Sequence, residues 1–167
     1  ETLIGRAIEG RRHGLVIATK TKSRDPNEIP AEVEGSLKRL GVDAIDVLQF
    51  HGGYIPGDDA PAILDEGGID AYRRLRDEGK VRYLGFSTDG PSAGAERLVA
   101  SGVFDVIQVH YSLMYQSTHD MFGDTGLIPS ADALGMGVVL MRCTTSGVFP
   151  RLMRRSFPTE LADIDID

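Results

Sequence analysis

Five short runs rich in Val, Ile, Leu and Phe recur along the chain, and a segment with helical spacing separates each from the next. This alternation restricts the fold more than any other feature. The runs are Leu15–Thr19, Ala44–Phe50, Val81–Phe86, Phe104–Val109 and Val138–Met141. Between them apolar residues fall on one helical face: Ile29, Val33, Leu37 and Leu40, then Ile69, Tyr72 and Leu75. Leu98 with Val99, and Leu127, Ile128, Ala131 and Leu134, continue the pattern. Gly41, Gly79, Gly102 and Gly135 close these segments, as a left-handed helix cap requires. Asp25-Pro26-Asn27-Glu28 opens the second helix with its acids placed to complement the dipole.

The near-continuous apolar character of the runs predicts parallel strands covered on both faces. Strand–helix alternation with right-handed crossovers fits a doubly wound sheet or part of a (β/α)8 barrel. No GxGxxG follows any run, which weakens the doubly wound alternative. Both folds place their chemistry at the carboxyl ends of the strands. Those ends offer Lys20, His51, Ser87 with Thr88, Gln108 with Tyr111, and Met141-Arg142-Cys143. An amine and an imidazole on one rim can handle a proton near neutral pH. The irregular stretch from Gly52 to Asp59 follows His51 directly and is expected to form a wall of the site.

Composition narrows the function classes. The 167 residues are 41% hydrophobic and 26% charged, enough to bury one core, and no linker or low-complexity tract divides them. A net charge of −7 argues against a nucleic-acid partner. Cys143 is the single cysteine, and His13, His51, His110 and His119 are scattered without ligand spacing, so neither a disulfide nor a metal is expected. There is no signal-like or membrane-spanning run, so a cytoplasmic protein is expected. Arg11-Arg12-His13 reads as a complement to the first helix's dipole, and Asp43 and Asp46 as packing or capping groups. Arg151, Arg154 and Arg155 read as a solvated helix surface, with a phosphate contact as the alternative. Glu1 leads straight into the stripe Leu3, Ile4, Ala7 and Ile8, and Leu161–Asp167 reads as an unfinished first helical turn. Residues 1–167 are therefore expected to be a barrel domain truncated at both ends.

Four stretches resemble the aldo-keto reductases: Val16-Ile-Ala-Thr-Lys20, Ser36-Leu-Lys-Arg-Leu-Gly-Val-Asp-Ala-Ile-Asp-Val-Leu-Gln-Phe-His51, Gly79-Lys-Val-Arg-Tyr-Leu-Gly-Phe-Ser87, and Ile107-Gln-Val-His-Tyr-Ser-Leu113. The resemblance implies a (β/α)8 barrel, of which about five βα units are present, and NADP-dependent reduction of aldehydes or ketones. NADPH is the implied cofactor, with NADH possible, and a small carbonyl compound the implied substrate. The family's mechanism uses an Asp, a Tyr, a Lys and a His. Lys20 matches the lysine and His51 the histidine, with Lys22 the runner-up for the lysine. The resemblance places the tyrosine about four residues before Glu1 and the aspartate about five residues earlier still.

Ser87 and Gln108 match the residues that bind the nicotinamide carboxamide. Thr88 stands where the family commonly has asparagine. Met141 is implied to lie against the nicotinamide ring, and Arg142 to serve either the substrate or the cofactor phosphates. A non-catalytic NADPH-binding regulatory subunit of the same fold is the rival reading.

Overall fold

The computed structural model describes residues 1–116 and 125–159. Its centre is a five-stranded parallel sheet in sequence order: β1 (Ala18–Thr21), β2 (Ile45–Phe50), β3 (Val81–Thr88), β4 (Val106–His110) and β5 (Gly137–Met141). Helix α1 (Thr2–Ile8) precedes β1, and α2 (Ile29–Leu40) joins β1 to β2. Helices α3 (Asp59–Leu64) and α4 (Gly68–Asp77) join β2 to β3, α5 (Ala93–Ala100) joins β3 to β4, and α6 (Leu127–Ala133) precedes β5. A short turn of 3-10 helix (Thr145–Gly147) and α7 (Val148–Ser156) follow. His119 and the helical turn expected at 161–167 lie outside the described residues.

Helix patterning holds on α2, α4 and α5, but α1 buries none of its expected stripe, with Leu3 and Ile4 exposed, and Leu134 is exposed at the end of α6. Ile29, Val33, Leu37 and Leu40 are all buried on α2, and Gly41 closes it at φ 66°, its N–H donating to the Leu37 carbonyl. Gly79, Gly102 and Gly135 also take positive φ, between 65° and 74°. The Asp25 carboxylate accepts from the Asn27 N–H at 2.8 Å, forming the turn that starts α2.

Three expectations need correction. First, β1 begins at Ala18, and Leu15 and Val16 are 43% and 75% exposed. The Asp46 carboxylate accepts the Ile17 N–H at 2.7 Å and holds Arg12 at 2.6 Å, so a side chain occupies the place of a ladder partner there. Arg12 therefore pins the start of β1 and does not serve the α1 dipole. Second, the irregular stretch after His51 ends at Asp58 rather than Asp59, which opens a helix, α3, whose Ala60 and Ile63 are buried. Third, only one face of the sheet is covered by helices. Leu48, Phe50, Leu84, Phe86, Ile107 and Val109 on that face are fully buried. On the other face Tyr83 is 40% and Val139 47% exposed.

The core sits between the covered face and the helices. The Tyr72 ring of α4 stacks on Phe50 at 3.8 Å, and Phe104 meets Phe50 and Phe86 edge-on at 6.2 and 5.1 Å. The Tyr72 hydroxyl is 2.7 Å from Thr21 Oγ1, so its polar end stays paired inside. Each such side chain contributes roughly 1.5–3 kcal/mol by leaving water.

Candidate active site

Alternate residues of a strand share a face, so register decides which side chains meet. Lys20 lies opposite Gln49, Gln49 opposite Gly85, Gly85 opposite Val106, and Val106 opposite Gly137. The next level on the same face carries Ser87 opposite Gln108, and Gln108 opposite Val139. His51 stands two residues beyond Gln49, and Met141 lies opposite His110 one level higher. This face is the open one. The fold thus brings Lys20, His51, Ser87, Gln108 and Met141 to one side of the sheet at the carboxyl ends of the strands, where Gln49 and Ser87 are nonetheless buried.

Lys20 is inside β1 rather than past its end, because the strand runs on to Thr21. It is half-buried, and that burial holds its ammonium pKa below the ordinary lysine value. A groove of about 330 Å³ opens beside it, lined by Glu1, Lys22, Glu32, Ser36 and Arg39 among others. Lys22 lies one residue past β1, and its backbone N–H donates to Glu32 at 3.0 Å. Glu1 accepts from the Thr19 hydroxyl and from Arg39 Nε, which fastens α1 beside this groove. A larger hollow of about 690 Å³ lies between α1 and the carboxyl end of α2, at the opposite end of the sheet, where Arg12 and Asp43 border it.

His51 is exposed, and its N–H donates to the Thr21 carbonyl at 2.8 Å. Burial lowers its imidazole pKa, and the charges of Lys20, Lys22 and Arg24 lower it further, while Asp89 acts in the opposite sense. Arg24 is a rim residue that no sequence motif singled out. Its guanidinium donates to the carbonyls of Lys22 and His51 at 2.9 and 3.0 Å, and Asp59 holds it at 3.3 Å. Its position in the loop after β1 was the only available signal.

The Ser87 hydroxyl accepts from the Gly52 N–H at 3.2 Å and is 3.3 Å from the Gly52 carbonyl. Thr88 departs from expectation. One residue beyond Ser87, it falls on the covered side and is fully buried, and its hydroxyl donates to the Gly90 carbonyl at 2.8 Å. It fastens the loop after β3 and does not share the open face. Arg142, just beyond β5, is exposed with φ 58° and pairs with Asp89 at 3.3 Å. Arg154 and Arg155 close α7, and Arg151 Nε donates to the Gly147 carbonyl at 3.1 Å.

The wall after His51 is built by close approach. A Cβ on Gly52 would lie 2.7 Å from the Ser87 carbonyl, and one on Gly94 2.3 Å from the Pro56 carbonyl. Ile55 is fully buried, so this loop is packed down onto the start of α5. Among the described residues no cluster of His, Cys, Asp or Glu could hold a metal ion, and no helix is long and apolar enough to cross a membrane.

The sequence model of the aldo/keto reductase family matches residues 1–162, and the chain belongs to that family. Over 119 residues it is 34% identical to the uncharacterised oxidoreductase YqkF of Bacillus subtilis, a match covering 64% of this chain and 37% of that protein. It is 27% identical to an aldo-keto reductase of Mycolicibacterium smegmatis, over 89% of this chain and 55% of the relative. The chain thus spans about half or less of the length of these relatives. A holo aldo-keto reductase of Bacillus halodurans superposes with a TM-score of 0.72 at 26% identity, covering 87% of this chain and 49% of that one. A Klebsiella pneumoniae aldo/keto reductase in complex with NADP and acetate superposes at 0.66 with 20% identity, over 95% and 56% of the two chains. The five parallel strands correspond to part of a (β/α)8 barrel of this family.

Proposed function

We propose that the full-length protein reduces aldehydes or ketones to alcohols, with NADPH as the preferred cofactor and NADH as the alternative. The observation that carries this reading is the gathering of Lys20, His51, Ser87 and Gln108 on one side of the sheet at the strand ends. The donor set fits a nicotinamide: a hydroxyl and a carboxamide on opposed positions, beside the apolar Val139 and Met141. The Klebsiella relative's NADP complex supports the same choice. When bound, the reduced cofactor supplies the hydride.

In this reading Ser87 and Gln108 orient the nicotinamide carboxamide, and Met141 lies against the ring. His51, whose lowered pKa keeps it neutral at pH 7, donates one hydrogen bond to the carbonyl oxygen and orients it. The proton for that oxygen comes from the family's tyrosine, expected upstream of Glu1. Lys20 places a half-desolvated positive charge beside that phenol and lowers its pKa. The protein is expected to act in the cytoplasm on a small carbonyl substrate. Screening the full-length protein against a carbonyl panel with NADPH and NADH tests the reading. Tight NADPH binding with no turnover of any carbonyl or alcohol would favour a regulatory subunit instead.

A further inference from the structure

We propose that Asp89 is a positioning residue that holds the Arg142 guanidinium across the end of β4, over the face that receives the cofactor. The inference rests on the reading above. Asp89 is the first residue beyond β3 and Arg142 the first beyond β5, with β4 between them. Adjacent strands are about 4.8 Å apart, so this pair spans roughly 10 Å of the barrel mouth. Only a long side chain reaches that far. Beneath the crossing lies β4, which carries Gln108.

Asp89 joins three loops. Its N–H donates to the Gly53 carbonyl at 2.6 Å, its Oδ1 meets Arg142 Nη2 at 3.3 Å, and its Oδ2 would lie 3.2 Å from a Cβ on Gly53. Gly53 is two residues from His51, so Asp89 is tied to the histidine-bearing loop by its backbone N–H and to the arginine-bearing one by its carboxylate. Both side chains of the pair are partly exposed, at 48% and 38%, and exposed pairs contribute little stability. Arg142 also adopts a left-handed backbone that costs a residue with a Cβ. A weak pair on a strained residue acts by placing the guanidinium. The cations facing His51 are Lys20, Lys22 and Arg24, and Asp89 is the carboxylate set against them.

The test uses the full-length protein with Asp89→Asn, Arg142→Gln and the double variant. Each is measured for the KM of NADPH, kcat on a reactive aldehyde, NADPH affinity by fluorescence, and melting temperature. Asp89→Asn is expected to raise the KM of NADPH roughly tenfold, with kcat within about twofold and melting unchanged. The double variant should be no worse than Arg142→Gln alone, because Asp89 acts through that arginine. An unchanged KM, tighter NADPH binding, or single effects that multiply in the double variant would each overturn the assignment. A wild-type protein that binds NADPH without turnover would reject the reaction proposed above. The fluorescence titration would still judge Asp89, by whether Asp89→Asn weakens binding.

Discussion

Lys20 and Lys22 sit two residues apart with similar chemistry, yet the structure separates them. Lys20 is within β1 and half-buried on the open face, while Lys22 begins the loop whose backbone is fastened to Glu32. Lys20→Met should therefore lower kcat of the full-length protein by about 100-fold or more and leave NADPH affinity nearly unchanged. Lys22→Met should change both by less than about twofold. Steady-state kinetics with fluorescence titration checks this pair, and a more damaging Lys22→Met would show that the wrong lysine is assigned. Tyr72 offers a test of the core by pH. Burial raises its phenol pKa above the ordinary value of 10, outweighing the Thr21 hydrogen bond. The folded state therefore keeps a proton that the unfolded chain releases. The stability this represents is complete below pH 10 and is lost as pH rises beyond it. Urea unfolding of the full-length protein should show stability falling above pH 10, with a shallower fall in Tyr72→Phe.

At the scale of elements, side chains at the amino ends of the strands decide where the ladders begin. Asp46 accepts the Ile17 N–H, and Asp105 accepts the Leu84 N–H at 2.8 Å. Burial works to raise the pKa of Asp46, but the Ile17 N–H and Arg12 outweigh it and the net direction is down. Asp46→Ala leaves that N–H without its acceptor and Arg12 with only the Leu15 and Ala44 carbonyls, so a loss of about 1–3 kcal/mol in chemical denaturation is expected. Gly94→Ala should cost a similar 1–3 kcal/mol, because the new methyl meets the Pro56 and Ile55 carbonyls, which are backbone and cannot swing aside. These contacts also explain what the sequence could and could not disclose. Helices α2, α4 and α5 were legible because burial follows a 3.6-residue period and glycine marks their ends, whereas α1 buries no residue of its apolar stripe among the described residues. The start of β1 was not, since apolar Leu15 and Val16 look like strand while a distant carboxylate sets the boundary. The Thr88 position was obscured by reading β3 as ending at Phe86. Extended to Thr88, strict alternation places Ser87 and Thr88 on opposite faces. Arg24 and Asp89 were invisible because each acts by joining loops from different strands, and no local spacing encodes that.

For the molecule as a whole, five parallel strands form an open sheet where the family's barrel closes with eight. β1 and β5 are the two edges of the sheet, and neither closes on the other. Edge strands offer unpaired N–H and C=O groups to any neighbour. The open face that gathers the site residues also exposes Tyr83 and Val139. In a closed barrel that face is the packed interior, where inward side chains from all eight strands fill the space. Here they have water or one another. Expressed by itself, the 167-residue chain is expected to associate through its edges and open face, and to oxidise no NADPH with an aldehyde that the full-length protein accepts. Sedimentation velocity at several concentrations, run beside an activity assay, tests both halves. Concentration-dependent oligomers without turnover are the expected result. A monodisperse chain would show that edge strands as short as β1 and β5 protect the sheet by themselves. Turnover would place a competent proton donor among residues 1–167, and would remove the need for the upstream tyrosine on which the proposed mechanism depends.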